Sequence, residues 1–154
     1  MVIILPDNTL PPDRFDLIVG WSVFSHLSEY SATAWLDEMA RILRPNGYCV
    51  FSTWGGRFLD RLADEQAQLA AGNEIHWYSK NCIESAGDIA VQQRKYASGE
   101  FIWFGEGPIE HYGNVCALHP NALFRIITKH NMPLQIVEFD RQTLSQDIFI
   151  LQRN

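Results

Sequence analysis

His26 follows a mostly apolar run, Asp16-Leu-Ile-Val-Gly-Trp-Ser-Val-Phe24, and is the side chain best suited to proton chemistry. An imidazole titrates near neutrality, so at such a position it can orient a substrate or accept a proton from an incoming hydroxyl. The same residue also reads, and reads better, as a helix-start group hydrogen-bonded to a neighbouring loop. His111-Tyr112 forms a second His-bearing pair, in a segment rich in aromatic residues, and a lone pair of that kind also has a structural reading. Gly55-Gly56 reads as a tight exit turn, because no helix-opening Lys or Ser follows to make a phosphate cradle. Asp37-Glu38 reads as a solvated helix face, and Asp60, Asp64 and Glu65 are not paired into a metal site. Cys49, Cys82 and Cys116 are far apart, with no CxxC pair, so neither structural zinc nor a disulfide framework is expected. No GxSxG, P-loop or HExxH motif occurs.

The elements that would position these residues follow from periodicity. Residues 16–24 suit a strand covered on both faces. Ala32, Trp35, Leu36, Met39, Ala40 and Leu43 recur at helical steps, with Ser28 or Ser31 as N-cap and Pro45-Asn46-Gly47 as the stop. Tyr48–Trp54 reads as a second strand, giving a strand–helix–strand unit with a parallel crossover. Phe58, Leu62, Ala63 and Leu69 mark a helix over 57–71. The stretch 73–118 is the least regular, and its aromatic residues suit a lid or substrate-binding insertion. A helix at about 120–130 and an antiparallel pair, Leu134–Phe139 with Asp147–Leu151, close the chain.

The 154 residues suffice for one domain, and an apolar share of 47% with nine Phe, five Trp and five Tyr excludes a disordered chain. A net charge of −6 argues against nucleic-acid and anionic-membrane partners. Met1-Val-Ile-Ile-Leu5 is too short and lacks a basic flank for a signal peptide, and no apolar run approaches the ~20 residues of a membrane span. With three scattered cysteines, the expected location is the reducing cytoplasm.

Arg14-Phe-Asp-Leu-Ile-Val-Gly-Trp-Ser-Val-Phe-Ser-His-Leu27, followed by Trp35-Leu-Asp-Glu-Met-Ala-Arg-Ile-Leu-Arg-Pro-Asn-Gly47, resembles the class I, Rossmann-like S-adenosylmethionine-dependent methyltransferases. The two segments are similar to that family's fourth strand, fourth helix and fifth strand, with Asn46 where the first of two glycines usually stands. The resemblance implies an α/β fold whose strands 4-5-7-6 form the central sheet, with residues 57–118 as a variable insertion within a single domain spanning 1–154. It implies S-adenosylmethionine as cofactor, with Trp21 and Ser22 on the cofactor rim and Thr53, Trp54, His111 and Tyr112 toward the substrate. Residues 2–8 are similar to the third strand and its loop, which would set Asp7 near the adenine. The family's donor site also needs a glycine-rich loop and an acidic residue ending the second strand. Fifteen residues precede Asp16, none of them glycine, so neither element can lie there.

Three functions are therefore expected to compete. The first is an amino-terminally truncated methyltransferase-like protein that does not bind the donor alone. The second is a working small-molecule methyltransferase completed by dimerisation or a partner chain. The third is a non-catalytic ligand-binding or assembly module. The resemblance leaves strand 16–23 as a sheet edge, with a homodimer through that edge or a fold-back of Val2–Leu5 as the ways to cover it.

Overall fold

The computed structural model describes residues 5–106, 112–141 and 144–154. Their chain order is β1 (Phe15–Gly20), α1 (Glu29–Ile42), β2 (Leu43–Thr53), α2 (Gly56–Ala70), α3 (Trp77–Ala86), α4 (Ile89–Ala97), β3 (Phe101–Glu106), β4 (Gly113–Leu118), α5 (Pro120–Lys129), β5 (Leu134–Asp140) and β6 (Asp147–Arg153). A short 3-10 turn, Phe24–His26, lies between β1 and α1. The main sheet has the order β1-β2-β6-β5, with β1 parallel to β2 and β6 antiparallel to both its neighbours. This is the mixed α/β sheet, with flanking helices, that the resemblance implies.

One face of this sheet carries the core. Ile18, Cys49, Phe51, Phe149, Leu151, Leu134 and Ile136 point into a cluster completed by Leu36, Met39 and Ala40 of α1 and Leu123, Ile126 and Ile127 of α5. Rings stack through its centre, Phe24 on Phe51 at 4.2 Å and Phe51 on Phe149 at 5.4 Å. The opposite face carries Leu17 and Val19, register-matched to Tyr48 and Val50, and Val50 is matched in turn to Ile150. Leu17, Val19 and Tyr48 are exposed, Val50 and Ile150 are half-buried, and none belongs to a buried cluster.

Several boundaries depart from the sequence reading. The first strand stops at Gly20 instead of Phe24, because Ser22 takes a left-handed conformation (φ 56°) that no strand tolerates. The helix α1 ends at Ile42, before the Pro-Asn-Gly stop, because extended geometry already sets in at Leu43; Pro45-Asn46-Gly47 lies within β2. Ser28 is its N-cap, accepting from the Ser31 N–H at 3.3 Å. Glu38 is buried, not solvated, its carboxylate held by Arg41 at 2.7 Å through both oxygens.

The largest correction concerns 73–118, whose described residues are mostly in regular elements. It holds α3, α4 and the β3–β4 hairpin, which join α2 in a second buried cluster of Phe58, Leu59, Leu62, Cys82, Ile83, Ile89, Tyr96, Ile102, Phe104, Val115 and Ala117. Strand β4 serves both clusters, with Val115 and Ala117 on this side and Cys116 and Leu118 in the main core. No helix of the described residues is long and apolar enough to cross a membrane.

Candidate functional site

Because β6 runs against β2 while β5 runs with it, the end of β2, the end of β5 and the start of β6 meet at one edge of the sheet. Open α/β sheets bind ligands at the carboxyl ends of their parallel strands, and the candidate residues gather here. Beyond β1, Trp21 is 54% exposed. Ser22 next to it belongs to a closed ring of hydrogen bonds. Its N–H donates to Ser52 Oγ at 2.8 Å, Ser52 Oγ donates to Gln146 Oε1 at 2.6 Å, and Gln146 Nε2 donates to Ser22 Oγ at 3.1 Å. Ser25 Oγ donates to the Ser22 carbonyl at 3.0 Å. The strained turn is thereby held by two buried partners, Ser52 and Gln146.

His26 is fixed from three directions. Its Nδ1 lies 3.1 Å from the Gly113 carbonyl, its ring stacks on Tyr112 at 5.1 Å, and its own carbonyl accepts from Trp103 Nε1 at 3.2 Å. A carbonyl only accepts, so Nδ1 must carry the proton and the neutral ring keeps its lone pair on Nε2. That is the tautomer of a base. The two residues that hold the ring, Tyr112 and Gly113, come from the insertion, and Tyr112 also bridges to Leu27.

Thr53 and Trp54 form the wall between the two clusters. Thr53 is buried and its hydroxyl donates to the Cys116 carbonyl at 2.8 Å. Trp54 pairs through its backbone with Cys116 and Leu118 and stacks on Phe58 at 4.1 Å. Its indole N–H is buried near Tyr78, with no partner of hydrogen-bonding geometry among the described residues. A hollow of about 190 Å3 opens beside it, lined by Arg57, Phe58, Arg61 and Ser145. Asp7 makes local hydrogen bonds. It turns back on Thr9, whose N–H and hydroxyl hold its carboxyl below the usual range. His111 lies outside the described residues.

Sequence reasoning missed Asp147, which starts β6 at the same edge. It is buried, accepts a hydrogen bond from Tyr96 Oη at 3.4 Å, and is pushed up in pKa by burial, with Arg141 and Arg57 opposing. Its carboxylate sits against Gly55, where an added Cβ would lie 1.8 Å from Oδ2, so the glycine is required by close approach. Tyr96, His119, Asp60, Gln93 and Arg141 line a cavity of about 360 Å3 alongside. Burial, with Arg141 and Arg125, depresses the His119 pKa, and its Nδ1 accepts from the Asn121 N–H as helix cap. Among the described residues no group of three His, Cys, Asp or Glu side chains is placed to hold a metal.

A β1-α1-β2 parallel unit followed by an antiparallel β5–β6 pair, with polar and aromatic groups at the carboxyl edge, defines a Rossmann-like α/β fold. Residues 5–91 match the methyltransferase-domain family, and the chain belongs to it. Among solved structures, a SAM-dependent methyltransferase from Methanosarcina mazei is similar in fold, with a TM-score of 0.54 at 14% identity over 94% of this chain. The chain spans 62% of that protein's length. No curated protein matches the sequence.

Proposed function

We propose that residues 1–154 carry the acceptor side of an S-adenosylmethionine-dependent methyl-transfer site and do not hold the methyl donor by themselves. The observation that carries this reading is the tautomer of His26. With Nδ1–H donating to the Gly113 carbonyl, the neutral ring of half-buried His26 carries its lone pair on Nε2. The donor's sulfonium supplies an activated methyl group. The acceptor is then a small molecule with an oxygen or nitrogen nucleophile, and Nε2 takes the proton released as the new bond forms. Trp21 and Tyr112 bring aromatic surface to the same edge, and the Ser22–Ser52–Gln146 ring fixes its geometry, so that most of the rate comes from positioning.

One feature of the sequence supports the second half of the proposal. No glycine precedes Gly20, and the family's donor loop depends on glycines that let the backbone approach the ligand. Calorimetric titration of this chain with S-adenosylmethionine tests it directly. The expected result is no heat of binding in the micromolar range. Micromolar binding would overturn the proposal, because it would place a complete donor site within these residues.

A further inference from the structure

The cavity of about 360 Å3 beside Tyr96 and His119 is separate from His26. His26 is held at Gly113, the first residue of β4, and His119 follows Leu118, the last. A strand of 6 residues spans about 20 Å. Three polar groups line this cavity, and the protein already holds each of them. His119 Nδ1 accepts from the Asn121 N–H at 3.1 Å, and its ring meets Tyr96 edge-on at 5.1 Å. The proton of the neutral ring is therefore on Nε2, which makes no hydrogen bond among the described residues. Asp60 Oδ1 accepts from Gln93 Nε2 at 2.7 Å, which leaves Oδ2 and the Gln93 Oε1 as acceptors. Arg141 lies over the Phe139 ring at 5.2 Å. Arg141 and Asp60 line one cavity, yet no ion pair joins them among the described residues. Leu59, Ala97 and the Tyr96 ring add apolar surface to the same lining.

We propose that this cavity binds a small apolar α-amino acid as its zwitterion, with the carboxylate on Arg141 and His119 Nε2–H and the ammonium on Asp60 and Gln93 Oε1. The ligand's side chain lies against Leu59, Ala97 and Tyr96. A volume of this order suits a small molecule, and a few fixed polar groups among apolar ones suit its recognition. The two opposite charges decide the class. A simple anion would meet Asp60 and a simple cation would meet Arg141, each a like charge across a small space, whereas a zwitterion satisfies both. The guanidinium fork matches a carboxylate, and Arg141 and Arg125 both bring positive charge to bear on His119. Because Asn121, Gln93 and Phe139 already restrain the three groups, little ordering is left to oppose binding. This ligand site goes beyond the acceptor reading of His26 and does not depend on it.

Calorimetric titration of the chain with three probes tests this in the absence of any methyl donor, so its outcome and that of the donor titration are independent. The probes are L-leucine, 4-methylpentanoate, which lacks the amino group, and 3-methylbutylamine, which lacks the carboxylate. Leucine should bind saturably with a Kd of about 1 mM or tighter, and each half-charged analogue about 10-fold more weakly or worse. Arg141→Gln and Asp60→Asn should each weaken leucine binding about 10-fold or more. Lys129→Gln, at the far end of α5 and outside this lining, should leave it unchanged. Arg141 and Asp60 are both exposed, circular dichroism confirms that each variant folds, and either substitution suffices if the other does not. Absence of leucine binding up to about 10 mM overturns the proposal. So does equal binding of the three probes, or leucine binding that neither rim substitution weakens.

Discussion

Gln146 closes the turn that leaves β1 from 124 residues away, donating to the Ser22 hydroxyl at 3.1 Å while its own oxygen accepts from Ser52 at 2.6 Å. A side-chain amide uses both its ends to hold one left-handed serine, with the bond from Ser52 buried and the bond to Ser22 part-buried. Gln146→Ala should therefore lower stability by about 1–3 kcal/mol, the range for leaving a buried polar group without its partner. Urea unfolding measures it, and a change within error would show that the ring contributes little.

Gly55 and Asp147 should be coupled in the same way. An alanine methyl at 55 would fall 1.8 Å from Asp147 Oδ2, and the carboxylate is too enclosed to swing clear. Gly55→Ala is expected to cost about 1–3 kcal/mol through overpacking. Combining it with Asp147→Ala should recover part of that loss, with a double-mutant coupling of about 0.5–3 kcal/mol. Additive single effects would mean the two groups do not meet.

The raised pKa of Asp147 has a defined sign. Burial makes the folded state hold this proton more tightly than the unfolded state, against the pull of Arg141 and Arg57. The contribution is fully present below the ordinary aspartate value of about 4 and is lost as pH rises through the folded value. Asp147→Asn, which cannot ionise, should remove this falling component from a plot of melting temperature against pH, as pH rises from the ordinary aspartate value of about 4. A wild-type curve that parallels the variant throughout would contradict it.

All three thiols are free and buried, and burial pushes Cys49 and Cys116 up to about 12, with Cys82 also raised. Thiolate, the reactive form, is then scarce at mildly alkaline pH. An aromatic disulfide reagent should label none of the three rapidly in the native protein and all three in guanidinium. Fast native labelling of any one would show that its side chain opens to solvent.

Replacing His26 by Phe keeps an aromatic ring against Tyr112 but removes the donor to Gly113. The expected loss is about 0.5–1.5 kcal/mol, one ordinary hydrogen bond. Amide exchange should rise first at Gly113–Leu118, where that bond ties the insertion to the sheet. Unchanged exchange there would separate His26 from the insertion.

The main sheet and α1 were legible because each keeps one period over many residues and sits between local stop signals. The β1-α1-β2 order and the reversed β5–β6 pair follow from residues close in sequence. The insertion hid its regularity. Trp77 and Tyr78 begin α3 on the apolar surface, yet Trp77 is mostly exposed, so the helical period is blurred at its start. Asp88 caps α4 and Gly87 before it is left-handed, both local signals that were there to be read. The site was less legible for a different reason. His26 finds its partner 87 residues away and Ser52 finds Gln146 at 94, distances over which residue types carry no pairing information. Only the apolar run before His26 pointed to it.

The division of β4 between two cores has one more consequence. Val115 and Ala117 line one cluster while Cys116 and Leu118 line the other. A slip of this strand by one residue would exchange the two linings and misfill both interiors at once. The register of the β3–β4 hairpin is thus checked twice, by two packings that must agree. Gly113, whose carbonyl decides which nitrogen of His26 keeps its lone pair, is the first residue of that strand. The protonation pattern of the candidate base is set by the same double check that aligns the hairpin.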